Sequence, residues 1–482
     1  MSTPFRARHL IIGAGFSGLG MARAFAKANI PYDQVDAADH IGGNWYQGVY
    51  NHVHLVSSKR TTEYTDFPMP QDYPDFPNAK QMLDYLDCYA SFFQLNDQIE
   101  LKKNVMTAYP RSDHRWHVTF EDGESRIYRG LVICNGHHWS PRHPEYPGKF
   151  SGSYLHSKEY KSTDVLRGKR VLVIGAGNSA CDIAVDAARE AEEAHISMRS
   201  GHWILPKTIF GAPLTDHLRP WMPQFVQRAL VRLLVRMFIG KYSAYGLQQP
   251  KHGVFDKHPT INSLLPYYVH HGVIKVHPAV KSWNGKEVTF TDGSRREFDV
   301  VVAATGFRVT FPFLPDGTIP VKGVIPQIPF GSFHDRYKGL YVIGWMQPRI
   351  GVGPLIAAGG PMICEFIRAE ERMVGPLGAV LGRLGVGIPK TNVGDGHQLL
   401  RRIAVGRRIA RFLPAIERLV FKHPVRKAAM ETARPSQAAR ADNPKTASSA
   451  ARGRTKAGRH AAPVTQAPVS THGPPISARE SS

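Results

Sequence analysis

Three glycines near the start of the chain have the spacing of a phosphate-binding turn. Gly13, Gly15 and Gly18 follow a short apolar run and lead into an alanine-rich segment. In such a pattern the first glycine permits a tight turn, the second lets the backbone approach a pyrophosphate, and the third lets helix and strand pack closely. The helix N-terminus, with Phe16 and Ser17, supplies amide donors and a positive dipole to the phosphates. The spacing therefore predicts a dinucleotide site.

An acidic residue stands where such a site needs one. Asp36 follows Gly18 by 18 residues and comes directly after an apolar segment, Tyr32–Val35. At this distance a carboxylate binds the ribose hydroxyls of the nucleotide. The flanking strand, helix and acid together favour a nucleotide site over a merely structural turn.

A second turn of the same kind lies in the middle of the chain. Gly175 and Gly177 open it, Asn178 and Ser179 follow, and Ala180 takes the third glycine position. Alanine is tolerated at that position. Two turns in one chain predict two nucleotide sites.

The acid expected after the second turn is replaced by a base. The following strand leads to Arg199 and Ser200. A carboxylate would repel a 2′-phosphate, whereas a guanidinium binds it through paired hydrogen bonds. This favours NADPH at the second site, and a solvated surface arginine is the alternative.

These turns require two βαβ units to position them. The predicted strands and helices are His9–Ile12, Leu19–Ala28 and Tyr32–Val35 in the first unit, then Arg170–Ile174, Cys181–Ala194 and His195–Met198 in the second. Further strands are predicted at Lys286–Phe290, Arg296–Val302 and Leu340–Ile343. The pattern indicates an α/β fold with two Rossmann-like dinucleotide-binding domains, the second inserted in the first.

The domain limits follow from these elements. The first domain is predicted to comprise residues 1–160 and 300–375, and the second residues 161–299. Residues 376–425 read as a basic helical extension. Residues 430–482 are rich in Ala, Ser, Pro, Thr and Arg, which predicts a disordered basic tail.

A third pattern joins the two units and carries a family resemblance. Phe150, Gly152, His156 and Tyr160 match the Phe-x-Gly-x-x-x-His-x-x-x-Tyr/Phe fingerprint of the flavin-containing monooxygenases, which this chain resembles over roughly residues 8–370. The related Baeyer–Villiger enzymes usually have Trp in place of Tyr160. Further segments similar to the family are Gly42–Trp45, Glu63–Leu86, Tyr245–Pro266, Ala303–Phe307 and Gly344–Pro348.

The resemblance implies cofactors and a reaction. FAD would bind the first turn and NADPH the second, and the reduced flavin would react with O₂ to give a C4a-hydroperoxide. That species would oxygenate a small nucleophilic substrate at an amine nitrogen or a sulfide sulfur. The cofactor-binding residues implied in this way are Gly43, Asn44, Trp45, His156, Thr305, Gly306, Phe307 and Gln347. For His156 a structural, linking role is favoured over a catalytic one.

One position departs from the family pattern. Most members have Asn three residues before the lysine that aligns with Lys59, and this chain has Val56 there. Ser57 and Ser58 follow, and we predict that one of them, or a group from elsewhere in the chain, donates the hydrogen bond that Val56 lacks. The departure leaves Baeyer–Villiger oxidation of a ketone, or oxidation of an oxo acid, as alternatives to amine and sulfide oxygenation.

The net charge of +22 is concentrated near the C-terminus. Residues 401–482 contain 17 Lys and Arg against 4 Asp and Glu, a net charge of +13. Gln398–Phe421 is basic and amphipathic, which suits an anionic membrane surface. The tail lacks the interleaved aromatic residues that stack on bases, so no specific nucleic acid is expected. A basic membrane- or nucleic-acid-associated binding protein is the non-enzymatic alternative.

The remaining composition excludes other classes. The four cysteines are Cys88, Cys134, Cys181 and Cys364. They form no Cys-x-x-Cys pair, so neither a flavin disulfide reductase nor a metal site is expected. The pairs His137–His138 and His270–His271 read as packing or surface residues. Without a secretory signal or a membrane span, we expect a cytoplasmic protein with peripheral membrane contact. Its partners would be a small-molecule substrate, O₂ and further copies of itself.

Overall fold

Two parallel sheets of five strands organise the chain. A computed structural model describes residues 7–218, 222–349 and 351–421. The sheet strands are β1 His9–Ile12, β2 Tyr32–Val35, β3 Ile99–Glu100, β4 Gly130–Ile133, β5 Ser153–His156, β6 Arg170–Ile174, β7 Glu193–Ser197, β8 Ile274–His277, β9 Val300–Ala303 and β10 Leu340–Val342. The first sheet has the order β10–β4–β1–β2–β3, and the second β8–β7–β6–β9–β5.

Helices cover both sheets. They are α1 Phe16–Lys27, α2 Lys59–Thr62, α3 Ala79–Phe92, α4 Asn178–Glu190, α5 Gln224–Phe238, α6 Leu264–His270, α7 Gly353–Glu371, α8 Leu377–Arg383, α9 Gly396–Ile409 and α10 Leu413–Val420. The mixed α/β fold with two Rossmann-type units that the sequence predicted is confirmed.

Smaller sheets, most of them antiparallel, complete the architecture. Two of them have three strands each: Val105–Pro110, Trp116–Phe120 and Ser125–Tyr128, then Val280–Asn284, Glu287–Phe290 and Arg295–Glu297. Short two-stranded pairs are Ser140–Pro141 with Phe307–Arg308, Ile204–Leu205 with Thr260–Ile261, Thr208–Ile209 with Ala212–Pro213, Val321–Lys322 with Ile325–Pro326, and Gln347–Pro348 with Val393–Gly394.

The strands of both sheets are apolar because both of their faces are buried. Along β1, Leu10 and Ile12 belong to one core cluster, and Ile11 belongs to the cluster on the opposite face. Along β6, Val171 and Leu172 divide in the same way between two clusters of the second sheet. A sheet covered on both faces is typical of parallel α/β proteins.

The limits predicted for the second unit are too narrow. Strand β5 lies before residue 161 and β9 after residue 299, yet both pair within the second sheet, β9 with β6 and β5 with β9. The fingerprint segment therefore contributes a strand to the second sheet, although the prediction had assigned it to the first domain. The strand predicted at Arg296–Val302 is also divided, because the Asp299 side chain binds Arg170 at 3.0 Å between the two halves.

The C-terminal helices are part of the first unit and not an extension. Ile403, Ala410 and Leu413 contribute to its core cluster. Part of the apolar side of the segment that was predicted to meet a membrane is therefore packed against protein, whereas Val405, Phe412 and Leu419 are exposed. The arginines of the segment are exposed as well. The predicted tail at 430–482 lies outside the described residues.

Helix α1 approaches β1 so closely that only glycine fits at the contact. A Cβ added at Gly18 would lie 1.9 Å from the Gly13 carbonyl oxygen. Gly13 itself has φ +108°, a conformation that favours glycine. The packing role assigned to the third glycine of the motif thus has a steric basis.

Gly18→Ala tests this contact. The added methyl group must displace α1 or the turn, and overpacking of this kind costs about 1–3 kcal/mol. We expect the free energy of unfolding, measured by denaturant titration, to fall by that amount. Gly177→Ala is the matched control, because a Cβ there meets no atom within 4 Å. Equal losses in the two variants would contradict the steric account.

Candidate nucleotide and flavin site

Both glycine turns open onto one cavity of about 1370 Å³. This volume exceeds that of an ordinary small-ligand pocket. The predicted site residues that line it are Gly13, Gly15, Phe16, Ser17, Asp36, Gly43, Asn44, Trp45, Ser57, Gly177, Asn178, Ser179, Gly306, Phe307 and Gln347. Those that do not line it are Gly18, Ser58, His156, Gly175, Arg199, Ser200 and Thr305. The fold thus brings the N-termini of α1 and α4 to the same space.

The first turn fits a pyrophosphate. Gly15 is the N-cap of α1, and it has no side chain to bond the first amides of the helix. These amides lack intrahelical acceptors and are therefore available to an anion. A Cβ added at Gly43 would lie 3.0 Å from the Gly15 Cα. A side chain at either glycine would therefore crowd the close approach of these two backbone segments.

Asp36 is held rigidly at the edge of this turn. Its Oδ2 accepts a hydrogen bond from the Ala14 amide at 2.6 Å, and its Oδ1 accepts one from the Ala38 amide at 2.9 Å. The carboxylate keeps further lone pairs for other donors. Its place on the cavity wall suits the contact with ribose hydroxyls that the sequence predicted.

The second turn repeats the design of the first. Gly175 has φ +147°, and a Cβ there would lie 2.3 Å from the Ala304 carbonyl oxygen. Gly177 is the N-cap of α4, again without a side-chain cap. The Asn178 Oδ1 accepts a hydrogen bond from the Ile261 amide at 2.8 Å and so fixes the entry of α4. A second anion site at this helix N-terminus is therefore available.

Arg199 and Ser200 lie outside this cavity on the protein surface. Both are exposed, just beyond the end of β7. Arg199 forms no hydrogen bond or ion pair with another described residue. Its guanidinium is thus available to an external anion.

The fingerprint residues support the second sheet and do not contact the cavity. Phe150 covers Gly152, where a Cβ would lie 2.6 Å from the Phe150 ring. The buried Tyr160 donates a hydrogen bond to the Asp186 carboxylate of α4 at 2.8 Å. The pattern therefore anchors β5 to α4.

The contacts of His156 suit the linking role that the sequence analysis favoured for it. The Lys158 amide donates to its Nδ1 at 3.2 Å, so the Nε2 proton is directed to the Gly306 carbonyl oxygen at 3.1 Å. Its ring also packs edge-on against Phe307 at 5.2 Å. Burial lowers the pKa of this imidazole. His156 thereby holds the turn at Gly306, which does line the cavity.

Only one of the two serines predicted near the flavin reaches the cavity. Ser58 is fully buried and caps α2, and its hydroxyl donates to Asp216 at 2.5 Å. Ser57 lines the cavity, with its hydroxyl 2.7 Å from that of Thr62. The expectation for Ser58 is corrected by this burial, and Ser57 remains the candidate.

Two histidines that were read as packing or surface residues form part of the cavity wall. The His137 Nδ1 lies 2.8 Å from the Gly344 carbonyl oxygen and must donate to it. The His138 Nε2 accepts from the Gln347 amide at 3.0 Å. Burial lowers the pKa of both imidazoles, which favours the neutral forms. His137 and His138 follow β4 after a three-residue segment, and their closeness to the end of an apolar run was the signal available in the sequence.

The two units are joined through a buried carboxylate next to the second turn. The Asp182 side chain on α4 accepts hydrogen bonds at 2.7 Å from the Tyr50 hydroxyl and from the Asn262 amide. Burial raises the pKa of Asp182. Tyr50 belongs to the segment between β2 and α2, so this contact ties the first unit to the helix that begins at the second turn.

Other kinds of site find little support in the described residues. Within the described ranges, no group of three or more His, Cys, Asp or Glu side chains is placed to hold a metal ion. The four cysteines are free, and three of them are buried. No helix in the described part of the chain is long and apolar enough to cross a membrane.

Comparisons with known proteins agree with this geometry. A family model described as flavin-binding monooxygenase-like matches residues 6–355. Flavin-containing monooxygenase 5 of Oryctolagus cuniculus is 33% identical over 378 residues, which cover 72% of this chain and 71% of the relative. Indole-3-pyruvate monooxygenase YUCCA1 of Oryza sativa subsp. japonica is 31% identical over 352 residues, covering 70% and 86%.

A solved structure shows the same fold at lower sequence identity. Oxidized steroid monooxygenase bound to NADP matches with a TM-score of 0.66 and 17% identity, covering 85% of this chain and 98% of the other. Both nucleotide-type turns and the fingerprint lie within the residues that the family model matches. The chain therefore belongs to the flavin-binding monooxygenase-like family and is a flavin-dependent monooxygenase.

Proposed function

We propose that the chain binds FAD at the first glycine turn and NADPH at the second, and transfers one oxygen atom from O₂ to a small nucleophilic substrate. The observation that carries this proposal is the single cavity onto which the N-termini of α1 and α4 both open. Each terminus suits a pyrophosphate. Two dinucleotides bound in a shared cavity would be able to meet for hydride transfer.

The bound flavin would supply the redox and oxygen chemistry. The side chains would bind, orient and exclude water. For FAD we assign the first turn together with Asp36, Gly43, Asn44 and Trp45. For NADPH we assign Gly175, Gly177, Asn178, Ser179, Arg199 and Ser200, with His156, Thr305, Gly306, Phe307 and Gln347 shaping the space between the cofactors.

The reacting end of the cavity holds weak donors and neutral bases. Ser57 offers a hydroxyl near the place where the family has Asn, and we propose it as the donor that orients the reacting oxygen. His138 and Gln347 form a neutral hydrogen-bonded pair on the same wall. This set of groups suits oxygen transfer to an amine nitrogen or a sulfide sulfur, which needs no strong base.

A carbonyl substrate is the second candidate. The rice relative is named for its action on indole-3-pyruvate, an oxo acid. Val56 removes the amide that most amine-oxygenating members have at that position. Oxidation of an oxo acid, or a Baeyer–Villiger reaction of a ketone, is therefore the alternative.

Product analysis decides between these substrates. The holoenzyme is incubated with NADPH and O₂ and with one amine, one sulfide, one ketone and one 2-oxo acid in turn. We expect a product that contains one oxygen atom from ¹⁸O₂ with at least one of them. NADPH oxidation that yields only hydrogen peroxide with all four would contradict the proposal.

Asp36→Ala tests the assignment of FAD. Hydrogen bonds to a charged group contribute about 1.5–3 kcal/mol, so FAD should bind about 10- to 150-fold more weakly. The dissociation constant is measured by adding FAD to the apoprotein. Asp39→Ala is the control, because that exposed carboxylate binds only the Tyr46 hydroxyl among the described hydrogen bonds. Unchanged FAD affinity in Asp36→Ala would refute the assignment.

Arg199→Ala tests the assignment of NADPH. Loss of a bidentate contact with the 2′-phosphate should raise the KM for NADPH about 10- to 150-fold and leave that for NADH nearly unchanged. The KM values are measured for flavin reduction. Arg232→Ala, an exposed arginine on α5, serves as the control. Equal losses for both nucleotides would mean that Arg199 supports the fold and does not bind the phosphate.

A further inference from the structure

A buried arginine stands on the wall of the cavity, directly after the short strand Gln347–Pro348. The Arg349 side chain is only 5% exposed, and the residue lines the cavity. Its amide donates to the Gly394 carbonyl oxygen at 3.0 Å, which fixes the backbone at this point. A charged side chain is seldom buried to this degree without paired acceptors.

The known partners of Arg349 use only part of its guanidinium. One terminal nitrogen, Nη2, forms an ion pair with Asp395, and the planar group lies 4.7 Å from the centroid of the Phe255 ring. Asp395 also accepts hydrogen bonds from the His397 amide at 3.0 Å and the Gln398 amide at 3.2 Å, as the N-cap of α9. The negative charge of this carboxylate is therefore shared among three donors.

The other terminal nitrogen of Arg349 has no acceptor among the residues that the structure describes. Its Nη1 is enclosed and makes no hydrogen bond with any described residue, and the Arg228 Nε nearby is in the same state. Arg228 is itself paired with Asp256 at 2.9 Å. Leaving a buried charged donor unsatisfied costs more than leaving a neutral one. Burial lowers the pKa of Arg349. The ion pair with Asp395 raises this pKa, and the positive charge of Arg228 lowers it.

We propose that Arg349 binds the carboxylate of the substrate, so that the cavity selects organic acids whose apolar part carries the oxidisable atom. This inference rests on the proposed monooxygenase function and adds the charge of the substrate to it. A carboxylate oxygen supplies the acceptor that Nη1 lacks, in a charge-assisted hydrogen bond. Leu355, Ile356 and Leu399 also line the cavity and suit the apolar remainder.

A phosphate oxygen of NADPH has the same acceptor chemistry, and the test must separate the two sources. Isothermal titration of the holoenzyme with 3-phenylpropionate, and with the neutral 3-phenylpropionamide, measures the contribution of the carboxylate. We expect the acid to bind more tightly than the amide. Arg349→Met should weaken binding of the acid about 10- to 150-fold and largely abolish the difference between the two ligands.

Two further variants distinguish the loss of a carboxylate contact from misfolding. Arg349→Met leaves Asp395 buried without its cation, so the double variant Arg349→Met/Asp395→Asn removes both charges and keeps an N-cap for α9. This double variant should also bind 3-phenylpropionate and 3-phenylpropionamide with nearly equal affinity. Arg232→Met on the exposed face of α5 removes a positive charge elsewhere and should keep the preference.

The outcomes separate the inference from the function on which it rests. Equal affinity for the acid and the amide in the unaltered protein would overturn the carboxylate site. So would a loss of NADP⁺ affinity in Arg349→Met as large as the loss for the acid, because Arg349 would then bind a phosphate. Oxygenation of the neutral sulfide thioanisole tests the function alone. If thioanisole is oxygenated while the acid shows no preference, only the carboxylate site is wrong.

Discussion

The structure depends on one steric constraint, the close contact of each glycine turn with the strand beside it. At Gly18 the backbone of α1 lies so near the Gly13 carbonyl that no side chain fits, and a Cβ at Gly175 would lie 2.3 Å from the Ala304 carbonyl oxygen. These contacts direct the N-termini of α1 and α4 at the carboxyl ends of two parallel sheets. An anion placed there meets free amides and the positive ends of both helix dipoles.

The second requirement is that the two turns face one space, and hydrogen bonds between the units and within the second unit meet it. Tyr50 binds Asp182 on α4, and His156 binds the backbone at Gly306. The fingerprint residues thus act at a distance from the cofactors. A change at Tyr160 or His156 would alter the cavity through the position of α4 or of the Gly306 turn, without touching a ligand.

Features that depend on residues close together in the chain could be predicted from the sequence. Both turns, Asp36 and the first strands and helices follow from local spacing and hydrophobic patterning. Contacts between residues that are distant in the chain could not be predicted from the sequence. Ser58 was a plausible donor until its hydroxyl was found bound to Asp216, 158 residues away. The pairing of β5 with β9, which moved the limits of the second unit, is likewise non-local, as is the contact between Arg349 and Asp395.

The central claim is that the two nucleotides meet in one cavity and exchange a hydride there. Anaerobic titration of the FAD-loaded protein with NADPH tests it most directly, because neither substrate nor O₂ takes part. The account predicts that the oxidised flavin absorbance disappears as NADPH is added, with one NADPH consumed per flavin. Flavin that remains oxidised in the presence of excess NADPH, although both nucleotides bind, would contradict it.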